Sequence, residues 1–442
     1  MKVAAIIAEY NPFHTGHQYH LQKTKQLTGA DYILVIMSGD FVQRGAPALF
    51  NKYTRTRMAL LCGADAVIEL PTLYATSSAE YFAQSAVSLI QRLGVVDILS
   101  FGSESGVLEA FIRTASALLS LENESAPLLR SMLKDGLSYP SAKEKLFWQF
   151  TSSDKDTKDL LAKPNNILGV EYCKALLSQK SGIAPFTLPR QGNDFHDTCF
   201  QDSSSVFLSA AGIRSFVRER FFDFSDTAYV DKTLEKISGY IPSETYSLFC
   251  NVIRSGSFLT EDDLSEMLHY KLLCEKEKGF SMYLDCTPDL SDKIIRNLSE
   301  YNGYTSFCSL LKSRDLTYAR ISRMLLHILL DLKTPDFYKD SYTKRNYFLP
   351  YGRLLGFRES ASPLLSALKK NSLIPLVTKL ADAKSSFTGS ALDFFKKELF
   401  YTSIYEAASA SRQNTAFHHG SPSPSQKKTA LNEFRQSPII VP

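Results

Sequence analysis

Short apolar runs alternate with helix-like segments along the first two hundred residues, and this alternation limits the fold more than any other feature. Four apolar runs have the length of strands: Val3–Ala8, Tyr32–Met37, Ala66–Leu70 and Asp97–Phe101. Three segments between them are expected to be helical: His17–Gln26, Tyr53–Cys62 and Ala79–Leu93. Strands that alternate with helices form a parallel sheet with helices on both faces, so the order predicts a doubly wound α/β domain.

The loops at the carboxyl ends of these strands are the expected ligand site, because open parallel sheets bind ligands there, where the strand order reverses. The loops include residues 9–16, 38–45 and 102–105. After a helical excursion over residues 105–163, Pro185–Pro189 is predicted as the last strand of the sheet. Polar side chains in these loops are therefore the first candidates for a functional site.

The first of these loops ends in His14-Thr15-Gly16-His17, directly at a predicted helix start. Free backbone N–H groups and the helix dipole favour an anion at such a position. A charged imidazole can donate from both ring nitrogens, which suits contacts to a polyphosphate. The loop predicts an ATP site in which His14 and His17 are catalytic and stabilise charge on the departing diphosphate. The alternative is that both are only loop and cap residues.

Four segments in the first half of the chain resemble a known family. They are Ala8–His17, Ser38–Gly45, Phe101–Glu104 and Pro164–Tyr172. Together they are similar to the nucleotidyltransferases with an HxGH signature and, among these, to the bacterial tRNA(Met) cytidine acetate ligases. The HxGH tetrad alone specifies only the superfamily, whereas the long first segment followed by the other three is far more specific.

The resemblance implies a Rossmann-like fold of the HxGH nucleotidyltransferase type and a ligase reaction in two steps. Acetate and ATP would form acetyl-adenylate and diphosphate. The acetyl group would then pass to N4 of the wobble cytidine of elongator tRNA(Met), giving N4-acetylcytidine. ATP, acetate and elongator tRNA(Met) are the implied substrates and partners, and Mg²⁺ is inferred from ATP chemistry alone.

The family's ATP contacts carry over onto the first loop, the helix start and three later positions. They are Ile7, Ala8, Glu9, Tyr10, Asn11, Pro12, Phe13, His14, Thr15, Gly16, His17, Gln18, Tyr19, His20, Gly102, Asn165 and Arg190. His20 stands where a lysine is expected in relatives, and the sequence contains no KMSKS-like lysine loop. A second cationic contact must come from elsewhere, and Arg190 is the candidate.

The chemistry of two of these positions can also be argued from the residues. Gly102 follows a buried strand, where a residue without Cβ lets a ligand approach the backbone, and a simple turn glycine is the alternative. Asn165 and Asn166 precede the apolar-periodic helix Ile167–Leu177, where asparagine is a good N-cap. We expect one of the pair to cap the helix while Asn165 contacts the nucleotide.

Charged residues of the same loops are further candidates. Arg44 can contact a phosphate or the small carboxylate, and a solvated turn is an equal interpretation. Glu9 and Glu104 carry oxygen ligands that suit magnesium, but the sequence specifies no dedicated metal site. The seven cysteines are scattered and never form a CxxC pair, which favours reduced thiols over disulfides or zinc.

Composition narrows the class of protein without choosing a function. The 442 residues suffice for two or more domains, and 44% hydrophobic with 22% charged residues is typical of a globular protein. A net charge of +4 is too small to indicate a nucleic-acid-binding protein by itself, so an RNA surface would be a local patch. No apolar run reaches the ~20 residues of a membrane span, and no leader is recognised, so a cytoplasmic protein without a membrane partner is expected.

We predict a catalytic domain over residues 1–225, an all-helical domain over 226–408 and a flexible tail over 409–442. The helical domain is the expected tRNA contact, because a predicted helix over Leu311–Lys333 carries Arg314, Arg320 and Arg323 beside an apolar stripe. A solvated or salt-bridged face is the alternative for any one of these arginines.

Two other functions use the same features. A nucleotidyltransferase that adenylylates a small phosphate ester would need the same HxGH loop. A nucleotide-sensing RNA-binding protein without turnover would keep the fold. Exchange of labelled diphosphate into ATP separates these functions, because only the ligase requires acetate for it.

Overall fold

The fold is built on one large, mainly parallel sheet that carries helices on both faces. A computed structural model describes residues 1–124, 128, 131–132, 160–161, 163–190, 208–221, 226–314, 316–333, 347–416 and 432–442. The sheet has eight strands in all, and a separate two-stranded hairpin follows its second strand.

The first half of the chain contributes the elements that were predicted to alternate. In chain order they are β1 (Val3–Ala8), α1 (Thr15–Thr28), β2 (Tyr32–Ser38), β3 (Phe41–Val42), β4 (Ala46–Pro47), α2 (Lys52–Leu61), β5 (Ala66–Leu70), α3 (Thr72–Ala75), α4 (Ala79–Leu93), β6 (Ile98–Ser103), α5 (Leu108–Glu124), α6 (Pro164–Ser178) and β7 (Ala184–Pro189). Their bounds agree with the predicted strands and helices to within a few residues.

The remainder of the chain is mainly helical. Its elements are α7 (Ala210–Arg220), α8 (Thr227–Glu235), α9 (Ser243–Arg254), α10 (Ser265–Glu275), α11 (Pro288–Asn297), α12 (Tyr304–Leu311), α13 (Tyr318–Leu329), β8 (Gly352–Arg358), α14 (Ser362–Asn371), β9 (Leu376–Val377), α15 (Leu380–Lys384), α16 (Gly389–Ala416) and β10 (Ile439–Val441). Short 3₁₀ turns connect several of them.

Five strands from the first half run parallel in the order β5-β2-β1-β6-β7. The chain passes from β1 to β2 on one side and returns to β6 on the other, so the strand order reverses at β1. Ligand sites in such sheets lie at this reversal, at the carboxyl ends of the strands. The loops after β1 and β6 are therefore the ones that the topology brings together, and the predicted α/β class is confirmed.

Alternate side chains of β1 enter two separate hydrophobic cores, as the period of a buried strand requires. Val3 and Ala5 pack in the core that includes α4 and α6. Ala4 and Ile6 pack in the core that includes α1, α2 and α9. Both faces of the central strand are thus covered, which explains its unbroken apolar sequence.

Strands β8 and β9 correct the expectation of an all-helical domain over residues 226–408, and β10 lies in the predicted tail. β8 pairs antiparallel with β5, with Ala66 opposite Phe357, and β10 pairs parallel with β8, with Ile439 opposite Gly356. They extend the sheet past β5, which would otherwise be an exposed edge. The run Gly352–Arg358 gives a weak strand signal because glycine and arginine interrupt it.

The predicted tail also differs from the structure. Helix α16 continues past residue 409 to Ala416, and β10 lies in the sheet. The tail also contains the pairs His418-His419 and Lys427-Lys428, which fall outside the described residues. The tail composition is polar, but its end carries the apolar Ile439–Val441 that pairs with β8.

The arginine-bearing segment forms two elements rather than one helix over Leu311–Lys333. Helix α12 ends at Leu311 and α13 spans Tyr318–Leu329. The Nε atom of Arg323 lies 3.5 Å from Oδ2 of Asp285, so this arginine is salt-bridged. For Arg323 the structure favours the salt-bridged face that was the alternative to a tRNA contact.

A buried network of charges joins the C-terminal segment to the parallel strands. Nζ of Lys52 lies 3.0 Å from Oε1 of Glu69, 2.8 Å from Oε1 of Glu433 and 3.4 Å from Oδ2 of Asp40. Arg353 on β8 also pairs with Glu69 and Glu433. Burial alone would lower the pKa of Lys52, yet the carboxylates around it raise that pKa well above its ordinary value.

We expect Lys52→Met to lower the free energy of unfolding by about 3 to 5 kcal/mol, because it leaves buried carboxylates without their shared cation. Chemical denaturation measures this. The matched control is Lys25→Met, since Lys25 pairs with Asp65 at 3.3 Å but its side chain is 44% exposed. The control substitution should lower the free energy of unfolding by less than about 1 kcal/mol. Equal losses in the two variants would contradict a special role for the buried network.

Candidate active site

Helix α1 begins with a capping box made of two histidines. His14 is the N-cap residue, and its Nδ1 accepts a hydrogen bond of 3.0 Å from the backbone N–H of Gly16. Nδ1 of His17 accepts a longer one, 3.3 Å, from the backbone N–H of His14. The ring centroids are 3.8 Å apart. Histidines thus take the places usually held by a serine or threonine and a glutamate.

These backbone hydrogen bonds decide the protonation of both rings. A ring nitrogen that accepts cannot carry a proton, so each neutral ring has its proton on Nε2. Burial lowers the pKa of His14 to about 3, with added effects of Arg190 and Arg214. Burial, His14 and Arg190 also hold the pKa of His17 well below its ordinary value. Each histidine therefore offers one neutral Nε2–H donor, which corrects our expectation that charged rings donate from both nitrogens.

Arg190, the predicted second cationic contact of ATP, is close enough to the histidines to act on their charge. It follows β7, and its backbone N–H donates to the carbonyl of Ser103 over 2.8 Å. Its charge contributes to lowering the pKa of His14, His17 and His20. Gly102 on the neighbouring strand adjoins the same side chain, since a Cβ there would lie 3.5 Å from Cγ of Arg190. The structure thus brings Arg190, Gly102 and the HxGH histidines into one region.

Asn165 and Asn166 bind Glu104 in the loop after β6. Nδ2 of Asn165 donates to Oε1 of Glu104 over 2.6 Å, and the backbone N–H of Asn166 donates to Oε2 over 3.0 Å. Oδ1 of Asn166 accepts from the backbone N–H groups of Glu104 and Ser105. The expected helix cap is wrong, because α6 begins earlier, with Lys163 as N-cap and Pro164 in its first turn.

Side chains of the first loop pack against His17 and bind the chain after β4. Tyr10 and Phe13 are buried, and their ring centroids lie 4.9 and 5.6 Å from that of His17. Oδ1 of Asn11 accepts from the backbone N–H of Leu49 over 2.7 Å. Tyr10 and Phe13 therefore pack against the ring of His17, whereas Asn11 joins the loop to the chain after β4.

Two residues further along α1 contact other elements. Nε2 of His20 is 3.1 Å from Oγ of Ser100 on β6, and burial lowers the pKa of His20 to about 4. Nε2 of Gln18 donates to Oε1 of Glu244 on α9 over 3.1 Å. Their side chains therefore connect α1 to the sheet and to the second half of the chain.

Sequence reasoning missed Arg55, which is fully buried behind the site. Its guanidinium donates to the carbonyls of Phe50 over 2.8 Å, Glu9 over 2.6 Å and Ser38 over 3.1 Å, and also to that of Gly39. It thereby joins the loops after β1 and β2. An arginine inside a predicted helix carries no sequence signal for such a role.

Metal ligands and membrane spans were searched over the part of the chain that the structure describes. No group of three or more histidine, cysteine, aspartate or glutamate side chains can hold a metal ion there. Oε1 of Glu9 accepts from the backbone N–H of Gln43 over 2.8 Å, so it too has a protein partner. None of the described helices has the length and apolar character of a membrane span.

The chain is similar to known proteins along most of its length. The family model described as HIGH Nucleotidyl Transferase matches residues 1–419. The tRNA(Met) cytidine acetate ligase of Clostridium novyi is 37% identical over 384 residues, which is 86% of this chain and 90% of the relative. That of Clostridium kluyveri is 36% identical over 424 residues, 95% and 97% of the two chains.

Solved structures extend the similarity over the whole chain. The apo crystal structure of Thermotoga maritima TmcAL superposes with a TM-score of 0.84 at 29% identity, and the match covers 100% of both chains. A structure of the same protein bound with alpha-thio ATP has a TM-score of 0.81 at 28% identity and the same coverage.

The capping box and the lowered pKa values predict that His14 and His17 stay neutral, with the proton on Nε2, at a pH equal to the ordinary pKa of histidine, about 6.5. The pKa of each ring is lowered by folding, so the unfolded chain binds more protons and the folded state loses stability as pH falls below about 6.5. Long-range ¹H–¹⁵N spectra of histidine-labelled protein identify the tautomer, and the urea-unfolded chain is the control. Rings protonated on both nitrogens at about pH 6 would contradict the assignment.

Proposed function

This chain belongs to the HIGH nucleotidyl transferase family, and on that basis we propose how it works as an ATP-dependent tRNA(Met) cytidine acetate ligase. The observation that supports the proposal best is the pair of Nε2–H donors that the capping box of α1 fixes at the carboxyl end of β1. Arg190 adds a permanent positive charge beside them. Fixed donors and a cation are what a polyphosphate leaving group requires.

In the first step, a carboxylate oxygen of acetate attacks the α-phosphorus of ATP. The bond from that phosphorus to the bridging oxygen breaks, and diphosphate leaves with the electron pair. His14 and His17 donate to phosphoryl oxygens while Arg190 balances their charge, so the barrier falls mainly through positioning and electrostatic stabilisation. The enzyme supplies no covalent nucleophile.

In the second step, the N4 amine of the cytidine attacks the acetyl carbon of acetyl-adenylate. AMP leaves, and the amine loses one proton to solvent. The base must be unstacked to reach the sheet. The proposal assigns the wobble cytidine of elongator tRNA(Met) as the acceptor and the mainly helical second half as the tRNA contact.

The ATP contacts that this proposal retains are residues 7–20, Gly102, Asn165 and Arg190. Nδ2 of Asn165 already donates to Glu104. A contact of Asn165 with the nucleotide therefore either adds to this hydrogen bond or replaces it. We propose that Mg²⁺ would enter with ATP, where it would offset the charge of the phosphates and keep several of its waters. A cytoplasmic location stays a prediction of the sequence.

Acetate should be required for the exchange of labelled diphosphate into ATP. The ligase activates acetate before tRNA is needed, so exchange proceeds without tRNA and stops when acetate is removed. Exchange that depends on a phosphate ester would indicate the adenylyltransferase alternative. Absence of any exchange, despite ATP binding, would indicate the sensing alternative.

Replacement of His17 should abolish this exchange while the protein stays folded. Loss of one fixed donor to developing charge costs about 10²- to 10³-fold in rate. We expect this loss in His17→Ala and also in His17→Gln, where glutamine can still accept from the N–H of His14 and preserve the capping box. Thermal unfolding checks the fold of both variants. Near-normal exchange in either variant would reject the phosphate role of His17.

A further inference from the structure

Arg214 on α7 is a second guanidinium at the HxGH loop. Its Nη1 donates to the backbone carbonyl of Asn11 over 2.6 Å, and this contact is partly buried. Asn11 lies in the same loop as His14, three residues before it. Helix α7 lies far along the chain from this loop, since Arg214 follows Asn11 by 203 positions, so the contact joins a distant element to the loop that begins the site.

The rest of this guanidinium has no partner among the described residues. Its five N–H groups make that one hydrogen bond and no ion pair within the described part of the chain. The charges of Glu261 and Glu9 raise the pKa of Arg214, but neither carboxylate forms an ion pair with it. Burial has the larger effect and lowers this pKa. A partly buried cation without a counter-charge is costly unless an anion completes it.

Four other buried cations among the described residues are satisfied by protein groups. Lys52 and Arg353 share carboxylates, and Lys174 pairs with Glu80 and Glu171 at 3.1 and 3.0 Å. The guanidinium of Arg55 is bound by backbone carbonyls. Arg214 differs from these four residues, because the carbonyl of Asn11 is the single described partner of its guanidinium.

The two arginines of the site approach the histidines differently. Arg190 influences the pKa values of His14, His17 and His20, whereas Arg214 influences that of His14. The hydrogen bond to Asn11 fixes Arg214 against the same loop that carries His14. Both arginines therefore act on His14, and Arg214 does so from a contact with its own loop.

We propose that Arg214 binds an oxyanion of a substrate beside His14, using the N–H groups that Asn11 leaves free. The proposal rests on the ligase function given above. The ligand is either a phosphate oxygen of ATP or the carboxylate of acetate, because both present oxygens that match the fork of a guanidinium.

The test compares Arg214→Met and Arg214→Lys with Arg218→Met as the matched control. Arg218 is exposed one turn further along the same helix, so its loss removes a similar charge from the surface. Calorimetry gives the affinities for ATP and adenosine, and diphosphate exchange gives the KM for acetate. Removing a hydrogen-bonded charge should weaken the affected ligand about 10- to 100-fold in Arg214→Met, with partial recovery in Arg214→Lys.

Each outcome decides the proposal. A phosphate contact lowers the affinity for ATP but not for adenosine. A carboxylate contact leaves ATP affinity unchanged and raises the KM for acetate. Equal losses for ATP and adenosine indicate that Arg214 only supports the loop, and values equal to those of Arg218→Met also overturn the proposal. If the wild-type protein shows no acetate-dependent exchange, the ligase function fails, while the ATP and adenosine affinities still test the phosphate contact.

Discussion

The buried guanidinium of Arg55 is the contact on which the arrangement of the site depends. It binds the carbonyls of Glu9, Ser38 and Gly39, which follow β1 and end β2. Loops at the carboxyl end of a parallel sheet leave carbonyls without ladder partners, and a buried carbonyl must be satisfied. Arg55 satisfies several at once and thereby holds the two loops at a fixed separation. Gly39 also adjoins the buried network of charges, since a Cβ there would lie 2.5 Å from Oε1 of Glu69.

The histidine pair shows how local structure sets chemical character. Because the Nδ1 atoms of His14 and His17 are used by the backbone of α1, the rings are neutral donors of known tautomer. A fixed neutral donor needs no proton uptake before it contacts a phosphate, and it keeps that role across physiological pH. The positive charge of the site then falls to the arginines, whose protonation does not change in this range.

Much of the fold followed from the sequence because strongly apolar strands alternate with helices from Val3 to Pro189. The exceptions are segments whose structure depends on distant partners. β8 is interrupted by Arg353, which is tolerated in the core only because Glu69 and Glu433 neutralise it. Glu433 itself comes from a segment that composition alone marks as a tail.

The sequence by itself determined the parallel sheet, the HxGH loop at the end of its first strand and the family to which the chain belongs, because these depend on local periodicity and on short motifs. Tertiary structure decided which charges are neutralised and which stay available. The sequence alone does not distinguish Arg55, Arg190 and Arg214. In the structure, backbone carbonyls bind the guanidinium of Arg55, Arg190 acts on the HxGH histidines, and Arg214 keeps free N–H donors beside Asn11. The reason is that the environment of a long cationic side chain is set by elements far away in the chain, which no local pattern records.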